Sequence, residues 1–362
     1  MSGARHEPLG QGVIVLDSPF ILALRARSMP LTEPIKNALK RGALVTAANW
    51  QVVLIQFVAE SAFKALLIVP VVGAAFLVTL LVGSSVEEIV SGDLRQTLAI
   101  AIAALGEHRA ALGAYLAGVG VVLIGGSILM FVVKAGSVGV LVDADRAGPA
   151  VERPPLRVDT VRQAERFSLE RFSDASTRFR HRFVRLGLGL LIVYGMTVGV
   201  YLLALVSLYR VSIAWSLAWL GTLGAAAAST VLVAAITIIN LIYLLLQVLV
   251  VSRDVSVARA IVGLPGFIRG QRSTVLRVFA VVLLLVLIAT AASILATAAL
   301  GFIGFVPIVG LAMLPLQLLA WIGRGLLFEF LGLSALTTYA GLVRRGSPAE
   351  AEALGTVPGL VS

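Results

Sequence analysis

Positive charge along this chain is banded, and the banding restricts the fold more than any motif does. Of 29 Lys and Arg residues, six lie in residues 1–50, ten between Arg146 and Arg185, five between Arg253 and Arg277, and two at Arg344 and Arg345. Long apolar stretches separate the bands, and only Arg95, Arg109 and Arg210 occupy the alternate gaps. Loops that stay in the cytoplasm keep Lys and Arg, whereas translocated loops lose them. The expected location is therefore the bacterial inner (plasma) membrane, crossed several times, with both termini cytoplasmic.

At 59% hydrophobic and 13% charged, with mean hydropathy +1.00, the chain falls outside the soluble range, where about a quarter of residues are charged. A net charge of +10 in a soluble protein would suggest nucleic acid. Here most of the excess sits beside apolar runs, where anionic lipid headgroups attract each basic residue by about 1 kcal/mol. The bilayer and its anionic headgroups are the expected partners, with a membrane protein as a further partner and no nucleic acid.

A spanning helix needs about 20 apolar residues. Six segments qualify: Ser61–Gly83, Ala111–Val133, Gly187–Leu208, Trp219–Leu241, Val278–Leu300 and Val309–Leu331. They form three out-and-back pairs, led in by Pro34–Val58, Pro155–Arg185 and Val255–Arg277, which are basic or amphipathic. The expected fold is an all-α integral membrane protein of six transmembrane helices in three hairpins, each preceded by a cytoplasmic amphipathic or basic helix. Residues 1–50 form an N-terminal segment with interfacial helices, 51–345 the membrane domain with an amphipathic insert at 146–185, and 346–362 a short tail. The return helices run longer than a bilayer needs, so their inner ends should project beyond the hydrocarbon. Tyr201, Tyr209, Trp215 and Trp219 cluster near the second outer turn, where amphipathic rings settle at a headgroup boundary.

Four polar residues break the apolar runs. Lys134, Asn240 and Glu329 lie on the three return helices, 9, 13 and 15 residues before the first charged residue of each inner flank. Packed around one axis they would meet in the inner leaflet, with Lys134 compensating Glu329 and Arg324 a rival partner five positions away. Glu60 and Lys64, four apart on one helix face, form a candidate interfacial pair. In Pro155–Arg185, Phe172, Phe179 and Phe183 mark an apolar edge and Arg178 and Arg182 a basic one. That pattern predicts a lipid-facing helix lying in the interface. Gly195 and Gly199 make a GxxxG, read as a packing surface within the chain.

Chemistry is harder to find. The chain has no cysteine, and His6, His108 and His181 lie far apart. There is no Walker A run, dinucleotide fingerprint, HExxH or GxSxG, so no catalytic residue and no cofactor is assigned. Asp143 and Asp145 could face a divalent cation, but two carboxylates alone make a poor site.

Two stretches carry a family likeness. Phe131–Gly148, FVVKAGSVGVLVDADRAG, ends a glycine-rich span in a charged turn, and Val257–Ile288 leads a short amphipathic helix into the fifth span. In this layout the chain resembles bacterial six-span proteins related to the membrane domain that accompanies some glycerophosphodiester phosphodiesterases. The likeness covers residues 34–345 in architecture, implies a membrane role and carries over no catalytic residue.

These observations point to a non-enzymatic membrane protein, acting in envelope organisation or as an accessory subunit that engages anionic lipid or a partner. The alternative is a small-solute or ion transporter or channel with a polar intramembrane cluster. What separates them is whether Lys134, Asn240 and Glu329 converge on a cavity or face headgroups.

Overall fold

The computed structural model describes residues 33–82, 109–152, 158–215, 217–304 and 307–345. The first outer loop, the apolar stretch Val13–Leu24 and the tail at 346–362 lie outside these residues. In order, the helices are α1 Glu33–Ala48, α2 Trp50–Val82, α3 Arg109–Ala147, α4 Val158–Arg162, α5 Leu169–Ala214, α6 Ala218–Ser252, α7 Val257–Gly304 and α8 Pro307–Arg345. Among the described residues there is no strand. Six helices, α2, α3 and α5 to α8, are long and apolar enough to cross a membrane. The protein is an all-α polytopic membrane protein, and α2 pairs with α3, α5 with α6, and α7 with α8.

Each spanning helix has two regimes. Toward one end it presents bare apolar side chains such as Val121 and Ile124 of α3, Ile192 and Leu203 of α5, and Leu284 and Leu295 of α7. Hydrocarbon accepts that surface as readily as a protein core would. Toward the other, charged end the helices pack tightly. Phe131, Val138 and Val142 of α3 meet Phe179 and Phe183 of α5, Leu245 and Leu249 of α6, Phe267 and Val278 of α7, and Tyr339 and Val343 of α8. The core therefore sits where the return helices run past the length a bilayer needs.

Helix α1 is part of this core. Ile35, Ala38, Arg41 and Val45 recur at helical spacing and are buried. A Cβ on Gly42 would lie 2.1 Å from Thr338 Oγ1 and 2.7 Å from the Ser334 carbonyl oxygen, so only glycine lets α1 and α8 approach this closely. The expectation of an interfacial helix fails here because its apolar stripe is covered by α8. Asn49 separates α1 from α2 and satisfies its whole amide. Nδ2 donates to the carbonyls of Val45 (2.9 Å) and Ala164 (3.0 Å), and Oδ1 accepts from the amides of Arg166 (2.8 Å) and Phe167 (3.0 Å). The α1/α2 break is thereby fastened to the strap that precedes α5.

At the same end Arg41 is 5% exposed and Asp145 is 1% exposed. The Arg41 guanidinium donates to Asp145 Oδ1 (2.6 Å), to Glu152 Oε2 (3.0 Å) and to the carbonyls of Asp145 (2.7 Å), Pro149 (2.8 Å) and Gly148 (3.3 Å). Arg344 of α8 adds a bond to the Asp145 carbonyl at 2.7 Å. Burial alone would lower the Arg41 pKa, but Asp145 and Glu152 outweigh it and hold the group above its ordinary value. Burial would raise Glu152, yet a backbone hydrogen bond and Arg41 keep it below the usual carboxylate range. Asp145 is thus a structural anion, not half of a cation site with Asp143.

The insert at 146–185 differs from expectation. It is not one interfacial helix: α4 is a single turn, and Ser168 caps a new start at Leu169, its hydroxyl accepting from the Arg171 amide at 3.2 Å. From there α5 continues unbroken into the third span. Phe179 and Phe183 are 5% and 0% exposed, and Phe172 lies against Gly136 of α3, so the apolar edge faces protein and not lipid. Arg178 and Arg182 bind the Asp254 carboxylate at 2.7 and 2.5 Å. Asp254 follows α6 in the left-handed region, at φ 51°. Arg182, then Arg178, hold its carboxyl below its ordinary value.

Helix α7 carries the third lead-in. Its amphipathic first part buries Ala260, Leu264 and Phe267, and non-helical dihedrals at Gln271 (φ −130°, ψ 25°) bend it into the fifth span. In the GxxxG of α5, a Cβ at Gly195 or Gly199 would meet open space. That motif is therefore not a contact within the chain; close approach is made instead at glycines such as Gly42, Gly126, Gly136, Gly139, Gly187 and Gly325. Of the interfacial aromatics, Tyr209, Trp215 and Trp219 are exposed, while Tyr201 shares a 3.0 Å hydrogen bond with Ser229 inside the α5/α6 hairpin.

Candidate functional site

Beside the core, four helices form a half-open cavity of about 210 Å³, partly lined by the core residues Val138, Tyr243 and Leu336. Lys134 and Ser137 enter from α3, Asn240, Tyr243 and Gln247 from α6, Glu329 from α8, and Gln56 from α2. The three return-helix polar residues thus share one space. Helical rise explains the convergence. Asn240 accepts from the Tyr194 hydroxyl, and Tyr194 stands nine residues, about 14 Å, beyond Arg185. The Tyr339 hydroxyl donates to the Val275 carbonyl at 3.2 Å, which levels α8 against α7 near Arg277. Glu329 is ten residues, about 15 Å, farther along. Lys134 precedes Asp143 by nine residues, again about 14 Å. All three stand at one height, close to the inner ends of the expected spans Ala111–Val133, Trp219–Leu241 and Val309–Leu331.

The lining is polar and partly paired. Ser137 Oγ donates to Gln56 Oε1 at 3.1 Å, and the Lys134 ammonium lies 5.9 Å from the centre of the Tyr243 ring. The Tyr243 hydroxyl is buried beside Gln247 without a hydrogen bond of good geometry. Glu60 bridges Lys64 at 2.6 Å and its carboxyl also reaches Glu329, with Lys134 acting electrostatically on both acids. The Glu60–Lys64 pair, expected to stand alone at the interface, is therefore an extension of the cluster. Where the Glu60 and Glu329 carboxyls meet they must share a proton, since two carboxylates in contact cannot both ionise.

Arg324 does not join them. Five residues place it roughly 140° around α8 from Glu329, and it faces a separate groove between α7 and α8. Its guanidinium lies over Phe328, 5.8 Å from the ring centre.

Gln56, Ser137, Tyr243 and Gln247 were not singled out from the sequence. Gln247 could have been, as the only amide in the apolar stretch between Asn240 and Ser252. Ser137 and Tyr243 carry no such signal, since both are ordinary inside spanning helices. A second pocket, of about 250 Å³, lies at the charged end between Asp143, Arg146, Arg171, Asp174, Arg178 and Asp254. Its three acids offset its three bases. Among the described residues no cluster of His, Asp and Glu could hold a metal ion. Comparison with protein families, with characterised proteins and with solved structures finds no match to this chain.

Proposed function

We propose that this membrane protein is a transporter or channel for a small polar solute or ion, and that the cavity around Lys134, Asn240 and Glu329 is its binding site. One observation carries the reading: polar side chains from four spanning helices meet around a space of about 210 Å³. A single water needs only about 10–15 Å³, so the space holds a hydrated ion or a small solute. Ionisable groups inside a bilayer are costly, and they face a bundle interior or a water-filled route when they occur. An acid and a base on one space, Glu329 and Lys134, suit a zwitterion or a small ion.

The excess of Lys and Arg at the charged end supports placing that end, with both termini, on the cytoplasmic side of a bacterial inner membrane. The cavity then opens into the inner leaflet half. The competing reading, an accessory subunit engaging anionic lipid, drew on Phe179 and Phe183 meeting lipid, and both are core residues. The layout likeness to six-span membrane domains is compatible with either role.

The test uses purified full-length protein in liposomes adsorbed on a solid-supported membrane, challenged with jumps of protons, sodium, potassium, chloride, phosphate and zwitterionic amino acids. At least one jump should give a current that disappears in Glu329→Gln or Lys134→Met at equal protein density. No current from the whole panel, or currents unchanged in both variants, would contradict the proposal.

A further inference from the structure

The groove between α7 and α8 is separate from the cavity and differs in kind. It measures about 540 Å³ and has a wall of small residues, Ala289, Ala292 and Ala296, on α7. Opposite stand Trp321, 53% exposed, and Arg324, also exposed. Ser293 and Gln317 bring polar atoms to the same space.

Arg324 is in an unusual position. It lies 17 residues, about 25 Å, inward of Pro307 at the start of α8, and so within a layer about 30 Å thick. No acidic side chain among the described residues pairs with it. An arginine this deep escapes its desolvation penalty by reaching a headgroup or meeting an anion. Cα–Cβ bonds lean toward a helix N-terminus, so on α8 the side chain leans away from the charged end.

We propose that the α7/α8 groove is a site for an anionic phospholipid, its phosphate on Arg324 and an acyl chain along the alanine wall. Charge complementarity selects the headgroup: a guanidinium with no acidic partner fits a phosphate oxygen, and Ser293 and Gln317 add polar atoms elsewhere along the groove. The alanines leave the width an acyl chain needs, and their surface is apolar. A zwitterionic lipid carries the same phosphate but adds a cation that Arg324 repels, so the site favours lipids of net negative charge.

Trp321 reports on the groove directly. Its ring packs edge-on against Phe57 of α2, with centres 6.3 Å apart, while its other side faces the groove. A variant carrying Trp50→Phe, Trp215→Phe and Trp219→Phe keeps Trp321 alone, and all three replaced side chains are exposed. Reconstituted at one chain per nanodisc, its fluorescence is titrated with brominated phosphatidylglycerol or brominated phosphatidylcholine in an unbrominated phosphatidylcholine background.

Phosphatidylglycerol should quench at a mole fraction lower by about fivefold, equivalent to about 1 kcal/mol. Arg324→Gln should abolish the preference and Arg324→Lys should retain most of it, with unchanged melting temperatures. Equal quenching by the two lipids, or a preference that survives Arg324→Gln, overturns the site. Weak quenching by both, with discs that hold two chains, overturns it as well, because a second copy then fills the groove.

Discussion

Removing the Asp145 carboxylate should unfasten the charged end of the bundle. Arg41 is 5% exposed and has all of its bonds within α1, the end of α3 and the turn at 148–152. Asp145→Asn leaves that guanidinium buried with only Glu152 to balance it, and breaking one side of a buried pair costs about 3–5 kcal/mol. At about 2.1 cal/mol/K of unfolding entropy per residue over 362 residues, a loss of about 4 kcal/mol lowers the melting temperature by about 5 °C. Helices that stay formed in detergent contribute less entropy, so the shift should be at least this large. The double change Arg41→Met with Asp145→Asn removes both charges and should recover about 2 kcal/mol of the summed single losses. Circular-dichroism melts of the purified protein in detergent give all four values. A single loss under about 1 kcal/mol, or a double loss equal to the sum, would refute the buried pair.

Three further outcomes follow from the geometry. Lys134→Met and Glu329→Gln should couple in the same melts, the double change departing from the sum of the single ones by about 0.5–3 kcal/mol, because the two side chains line one space. Gly42→Ala should cost about 1–3 kcal/mol, since its Cβ meets α8 at 2.1 Å, whereas Gly195→Ala, facing open space, should leave the melting temperature unchanged. Asp254 is held below its ordinary value of 3.8, so its bonds to Arg182 and Arg178 stabilise above that pH and are lost as pH falls through the lower folded value. Asp254→Asn should therefore flatten the acid limb of the stability curve below about pH 4. As the pair is exposed, the whole effect is about 0.2–1 kcal/mol.

The spans and their pairing were legible because twenty apolar residues between charged flanks admit few other structures. Lys134, Asn240 and Glu329 were legible for a related reason: a polar residue in such a run is conspicuous, and its distance from the flank fixes its height. Angular position was less legible. Arg324 and Glu329 differ by five residues, and the resulting rotation sends them to different spaces. Periodicity also marked the apolar edge of Phe172, Phe179 and Phe183 correctly without saying what covers it. Lipid and a neighbouring helix are equally apolar partners, and only Gly136 and Gly139, which let α3 come close, distinguish them. Arg41 and Asn49 read as ordinary polar residues of an amphipathic lead-in. Their partners lie more than 100 residues away, beyond the reach of any local pattern.

Whether water reaches the cavity tests the central claim most directly. The chain has no cysteine, so Asn240→Cys and Ser137→Cys each introduce a single thiol without background. In liposomes the rate of modification by a charged methanethiosulfonate reagent is compared with that of Ile238→Cys, which lies on the exposed apolar surface of α6 two residues from Asn240. A thiol in hydrocarbon does not ionise and stays inert, whereas one in a wet cavity reacts. The account predicts rapid modification at 240 and 137 and none at 238; cavity thiols as unreactive as Ile238→Cys would contradict it.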